Sequence, residues 1–280
     1  MTVPFQQRFA ALAKERSPLC VGIDPSAEAL RGWGLADDVA GLRAFCERHV
    51  ETCASLVASV KPQTAFFERH GPAGMEVLRD TVERAHRQGA LVIIDAKRGD
   101  IGSTAVAYGE AFLGAQSPFG GDAITLSPYL GLGSLASIFE IAREKGAGVF
   151  VLVRSSNPEG SELQRARLTD GRAIAEHIAD EITALNAAEA ADRLGLIGAV
   201  LGATQGEEAG ALADRLPHSL LLVPGIGAQG ATIADLRRDF AQHYERIIPS
   251  VSRGIARAGP DPADLRRAVE RTIAEIRAGS

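Results

Sequence analysis

Short, almost wholly apolar runs recur along this chain, separated by stretches in which apolar residues return every three or four positions. The runs are Leu19–Ile23, Leu56–Val60, Leu91–Ile94, Ala123–Leu126, Val149–Val153, Ile197–Leu201, Leu220–Val223 and Ile247–Val251. Each is too short for a helix, and none alternates as a sheet with one wet face would. Continuous hydrophobicity of this kind marks parallel strands buried on both sides. Between the runs, Val39–Cys53, Gly74–Gln88 and Arg172–Ala188 read as amphipathic helices, and Pro262–Ala278 follows the last run. Phe5, Phe9 and Leu12 share one helical face and predict a short N-terminal helix closing the bottom of a barrel. Eight strands each followed by a helix predict an α/β fold, the (β/α)8 TIM barrel; a doubly wound open sheet is the alternative that the pattern allows. No low-complexity linker or break in composition interrupts residues 1–280, so a single domain is expected. The longest polar insert, Ser155–Arg172, follows the fifth run and is a candidate lid.

Composition is that of an ordinary globular protein and changes this picture little. A net charge of −5 argues against a nucleic-acid or anionic-membrane partner, so an anionic ligand must be held by a local cluster of cations. Cys20, Cys46 and Cys53 are odd in number and lack zinc-like spacing, which points to buried thiols in a reducing cytoplasm. Met1–Ser17 has no apolar segment of signal-peptide type, and no window approaches the ~18 apolar residues of a membrane span. His49, His70, His86, His177, His218 and His243 fall away from the strand ends with no metal-ligand spacing, so a surface position is expected for each. Without a histidine cluster or a Ser/His/Asp arrangement, hydrolysis and zinc chemistry fit poorly.

A barrel of this kind gathers its chemistry at the C-terminal ends of its strands. Those ends carry Asp24-Pro25, Lys61-Pro62-Gln63, Asp95-Ala96-Lys97-Arg98-Gly99-Asp100 and Arg154-Ser155-Ser156-Asn157-Pro158; the last two carry Pro224-Gly225-Ile226-Gly227 and Ser252-Arg253-Gly254. Asp95 and Lys97 are two apart on a strand and leave the same face, with Asp24 and Lys61 arriving from adjacent strands. Burial alone would neutralise a lysine, but flanking carboxylates favour the ammonium, leaving a positioned proton donor. An ion-pair network without chemistry is the plainer alternative.

Gly225-Ile226-Gly227-Ala228-Gln229-Gly230 matches G-x-G-x-x-G between a strand and a helix. A dinucleotide site fails on context, because the next strand ends in basic Arg253 and not in an acidic residue. The motif reads better as a cradle of backbone N–H groups for phosphate at a helix N-terminus, with Arg253 as the partner of the dianion. A glycine turn beside a surface arginine is the bland alternative.

These residues resemble a known family. Asp95-x-Lys97-x-x-Asp100, followed by Thr104, is similar to the D-x-K-x-x-D signature of orotidine 5′-monophosphate decarboxylases. Pro224–Gly230 resembles that family's phosphate loop and Arg253 its phosphate arginine, so the likeness runs from Asp24 to Arg253. The Lys61-Pro62-Gln63 and Ser155–Pro158 segments look like the bacterial branch with longer loops. Metal-dependent sugar-phosphate enzymes of the same superfamily share D-x-K-x-x-D but typically end strand two in a Mg²⁺-binding glutamate, where this chain has Lys61. The chain also departs from many relatives in having Ile101-Gly102 where they have Ile-Pro.

The resemblance implies decarboxylation of orotidine 5′-monophosphate to UMP and CO2, the last step of de novo UMP synthesis, without metal or organic cofactor. It implies that Lys97 protonates C6 and that Asp95 lies beside the departing carboxylate, with Lys61 and Asp100 completing the charge array. Asp24, Lys61, Asp100 and Thr104 would face the ribose, the last two from the other subunit of a homodimer with shared active sites. Ser156 would read the pyrimidine, while Pro224, Gly225, Gly227, Gln229 and Arg253 would hold the phosphate. A barrel that binds nucleotide without turnover is the non-enzyme alternative.

Overall fold

The computed structural model describes residues 2–189 and 194–278. Eight parallel strands close into a barrel in sequence order. They are β1 (Cys20–Ile23), β2 (Ser59–Pro62), β3 (Leu91–Arg98), β4 (Ala123–Leu126), β5 (Gly148–Arg154), β6 (Ile197–Leu201), β7 (Leu221–Pro224) and β8 (Ile247–Val251). Closure is visible in the register, where Cys20 of β1 lies beside both Ser59 of β2 and Ser250 of β8. The open-sheet alternative is thereby excluded.

Strand parity sorts the apolar residues into two cores. Leu19, Val21 and Ile23, Val92 and Ile94, and Leu221 and Val223 pack outward against the helices. Cys20, Leu91, Ile93, Ala123, Phe150, Leu222 and Ile248 fill the barrel with Phe5 and Phe9 of the N-terminal helix, Phe5–Glu15. Phe5 meets the Phe150 ring edge-on at 5.8 Å. That floor needs glycine beneath it: a Cβ on Gly148 would come within 2.7 Å of the Phe5 ring, and one on Gly198 within 2.6 Å of Phe150. Burying each phenylalanine stabilises the closed floor by roughly 1.5–3 kcal/mol.

The expected helix Val39–Cys53 forms over those residues, N-capped by the Asp38 side chain on Gly41 N–H. The helix expected from Gly74 starts earlier, at Gly71, with a proline in its first turn, where the missing N–H costs nothing. The second strand also departs from expectation. Ala54–Leu56 form a 3-10 turn after the preceding helix, so the strand begins at Ser59 and reaches Pro62. Hydrophobicity alone did not separate Leu56 in that turn from the strand. The insert after β5 holds one short helix, Gly160–Gln164, and is anchored from below by Arg154. Buried Arg154 donates to Glu208, Gln164, Ser161 and Gln205, which makes it a strut and not a ligand for phosphate.

His49 corrects the expectation of a surface histidine. It is fully buried beside Phe45 and Trp33, and neither ring nitrogen has a partner among the described residues. Its position on the inner face of an amphipathic helix explains this, since helical spacing places it with Leu42, Phe45 and Cys46. Desolvation pushes its pKa from 6.5 down to about 4. The unfolded chain therefore takes up a proton that the folded chain refuses. The stability from keeping His49 neutral is complete above pH 6.5 and is lost as pH falls towards 4. His49→Phe should flatten the fall in unfolding free energy between pH 7 and 4.5 by roughly 2–3 kcal/mol in urea titrations. An unchanged slope would assign the acid sensitivity to other groups.

Candidate active site

Asp95 is the centre of the barrel mouth. The parity that sends Leu91 and Ile93 inward sends Asp95 inward as well, and its side chain is 7% exposed. Four donors converge on its carboxylate. Lys61 Nζ, from the end of β2, lies 2.5 Å from Oδ2, and Gln63 Nε2 donates to the same oxygen at 3.3 Å. Lys97 Nζ lies 2.6 Å from Oδ1, to which Thr125 Oγ1 also donates at 2.8 Å. Burial alone would raise the Asp95 carboxyl, but the Lys61 and Lys97 ammoniums outweigh it and hold it well below the usual carboxylate range. Burial likewise works against a charged Lys61, yet Asp95 and Asp24 overcome it and raise its pKa. Both groups are ionised at neutral pH, and the array is built on charge.

Asp95 and Lys97 meet as expected, but not by simple alternation. Between Ile94 and Arg98 β3 bulges against β4, where Ile124 and Leu126 are the matching partners. Lys97 sits in this bulge at φ +47°, alone among the described non-glycine residues in having a left-handed backbone. That conformation is unfavourable for a residue with a Cβ and gathers at functional sites. The side chain of Lys97 is 45% exposed, so its ammonium faces the mouth while Asp95 anchors it from below.

Asp24, at the end of β1, accepts a 2.5 Å hydrogen bond from Ser252 on Oδ2, while its Oδ1 is buried without a partner among the described residues. An unsatisfied buried carboxylate oxygen is costly, which makes this one a candidate acceptor for a ligand hydroxyl. Asp100 does not join the array within one chain: its Oδ1 accepts the neighbouring Ile101 N–H. Thr104 lies exposed on the Gly102–Phe112 helix.

On the opposite side, Ser156, Thr204, Gly225 and Gln229 come together. Thr204 Oγ1 and Gln205 Nε2 donate to Ser156 O at 3.0 and 3.3 Å. Gly225 has φ +106°, and a Cβ there would lie 3.0 Å from Gln229 Oε1 and 3.6 Å from the Ser156 Cβ. The helix after this loop corrects one expectation. Ile233–Asp239 opens with a capping box in which Asp235 already accepts from Thr232, so its N-terminus is self-capped and locally acidic. In the turn itself, the N–H groups of Ala228 and Gln229 have no acceptor among the described residues. Arg253 borders a cavity of about 200 Å³ with Asp24, Ser26, Trp33 and Arg257, and no carboxylate lies within 4 Å of it among the described residues.

Thr125 and Thr204 were passed over by sequence reasoning, and Ser252 was placed at its strand end without a role. Thr125 carried a usable signal, as the lone polar residue in the apolar run Ala123–Leu126 with the inward parity of Ala123.

A closed (β/α)8 barrel that sets a lysine–aspartate–lysine array across its mouth from a glycine turn defines a barrel enzyme. The chain belongs to the orotidine 5′-phosphate decarboxylase / HUMPS family, whose model matches residues 17–268. It is 50% identical over 275 residues to a Myxococcus xanthus orotidine 5′-phosphate decarboxylase, covering 98% of this chain and 96% of that protein. A Streptomyces coelicolor protein of the same name is 52% identical over 274 residues, covering 98% of this chain and 97% of its own length. A solved structure from Streptomyces avermitilis superposes with a TM-score of 0.94 at 52% identity, covering 99% of this chain and 96% of that one.

Proposed function

We propose that this barrel decarboxylates orotidine 5′-monophosphate to UMP and CO2 at the Lys61–Asp95–Lys97 array, as one domain without a metal or organic cofactor. The observation that carries the reading is Asp95, held ionised between two lysines with one of them exposed to the mouth. Loss of CO2 leaves an electron pair in the ring plane at C6, where the π system cannot absorb it. A fixed ammonium aimed at that carbon stabilises the growing charge and then delivers its proton, which assigns both roles to Lys97. Asp95 faces the departing carboxylate and orients Lys97. How the substrate carboxylate is accommodated beside it belongs to ground-state and transition-state binding together.

Asp24 Oδ1 and Lys61 meet the ribose, Ser156 the pyrimidine, and Pro224, Gly225, Gly227, Gln229 and Arg253 the phosphate. Both Asp95 oxygens are already engaged by cations and a hydroxyl, and Lys61 stands where a metal-binding relative would offer a carboxylate, which favours the metal-free reading. Asp100 and Thr104 act in the site of a second copy. In support, Ile101, Tyr129 and Leu130 are 63%, 76% and 52% exposed on the loops after β3 and β4, which Ser127 N–H to Arg98 O ties together. Exposed apolar side chains grouped beside a site suit a protein partner. No helix among the described residues is long and apolar enough to cross a membrane, and three unpaired buried cysteines suit a reducing cytoplasm.

Incubating the protein with orotidine 5′-monophosphate in excess chelator and following ring absorbance tests the function. Steady conversion to UMP is expected, and a bound but unconverted nucleotide would mean a binding barrel. The phosphate assignment has its own test. Arg253→Ala should weaken UMP binding about 10- to 100-fold while leaving uridine binding nearly unchanged, since charge-assisted hydrogen bonds to the dianion are lost. Equal losses for the two ligands in titration calorimetry would place Arg253 outside the phosphate site.

A further inference from the structure

We infer that Thr125 is a positioning residue for Lys97, fixing both the backbone and the counter-charge of the proton donor; this rests on the assignment of Lys97 to that role. Thr125 lies on β4, 1% exposed, directly across the bulge that carries Lys97. Its hydroxyl has one proton and two lone pairs. The proton goes to Asp95 Oδ1 at 2.8 Å, because an ionised carboxylate only accepts. A lone pair is then left for the Lys97 N–H, which donates to Oγ1 at 3.0 Å. One buried hydroxyl thereby joins the main chain of Lys97 to the same carboxylate oxygen that holds its ammonium.

This small ring explains the unusual backbone. At φ +47° Lys97 is in a conformation that side chains bearing a Cβ avoid, and the β3–β4 ladder is interrupted there. Thr125 supplies the acceptor that its N–H would otherwise lack. Without it, the bulge gains by relaxing towards an extended backbone, which swings the Lys97 side chain away from Asp95. Asp95 would keep Lys61 and Gln63 on Oδ2 but lose its hydroxyl donor on Oδ1, so the carboxylate could rotate as well.

The test compares Thr125→Val, which keeps the shape and removes the hydroxyl, with Thr125→Ser, which keeps the hydroxyl, and with Lys97→Ala. For Thr125→Val we expect kcat to fall about 30- to 100-fold, with KM and UMP affinity within about threefold of the parent. Thr125→Ser should recover kcat to within about fivefold. Retained UMP affinity shows that the valine variant is folded with its phosphate and ribose contacts in place. A valine variant within threefold of the parent kcat would overturn the inference. So would a serine variant no better than valine, or a loss of UMP affinity in step with kcat. Substantial turnover by Lys97→Ala would instead remove the donor assignment on which the inference rests, whatever Thr125 does.

Discussion

Lys97→Ala is expected to lower UMP formation by at least about a thousandfold, because it removes the more exposed ammonium of the array, 45% against 9% for Lys61. The fold should survive. Lys97 is half exposed, and Asp95 would retain Lys61, Gln63 and Thr125 as partners, so no buried charge is left bare. Product binding should persist too, since the ribose and phosphate contacts proposed for this chain come from other strands. Single-turnover measurements with orotidine 5′-monophosphate, beside titration of UMP, separate the two effects. Residual turnover within about tenfold of the parent would show that another group, with Lys61 the nearest candidate, delivers the proton. That outcome would be surprising on geometry, because Lys61 is buried against Asp95 and its raised pKa makes it a reluctant donor.

Mixing the two inactive variants Lys97→Ala and Asp100→Ala should restore about a quarter of parental activity after dissociation and reassociation. The expectation follows from the proposed two-fold dimer, in which each site takes Lys97 from one chain and Asp100 from the other. Random pairing makes half the dimers mixed, and half of the sites in those are intact. The structure motivates the experiment: Asp100 reaches neither Lys97 nor Asp95 in its own chain, and among the described residues its carboxylate meets only the Ile101 N–H. Exposed Ile101 follows it directly, and Tyr129 and Leu130 lie on the adjoining loop. Proven subunit exchange with no recovery would mean that each chain completes its own site.

The barrel was legible because its strands are buried on both faces. An apolar run such as Ile197–Leu201 or Ile247–Val251 needs no partner to be recognised, and both became strands over those residues. The N-terminal helix was legible for the same reason, since Phe5 and Phe9 on one face of a polar helix must cover something apolar. Legibility failed where local and tertiary preferences diverge. Leu56 is as apolar as a strand residue but belongs to a turn closing the previous helix. His49 is polar by type but was carried into the core by the helical period of its neighbours.

The sequence by itself determined which charges could meet, because Asp24, Lys61, Asp95 and Lys97 follow apolar runs and a barrel places all such ends at one mouth. It could not determine how they meet. The bulge in β3, the left-handed backbone of Lys97 and the Thr125 hydroxyl that supports both arise from pairing between strands about thirty residues apart, as the register between Ile94 and Arg98 on one side and Ile124 and Leu126 on the other makes plain. The glycine-rich loop shows the same division. G-x-G-x-x-G identified the turn, but only packing revealed that Asp235 caps the following helix, so that the N–H groups without an acceptor among the described residues are those of the turn itself. Residue type and spacing settle what chemistry is available to a barrel mouth. The orientation of each group depends on long-range hydrogen bonds and on desolvation, neither of which a linear pattern contains.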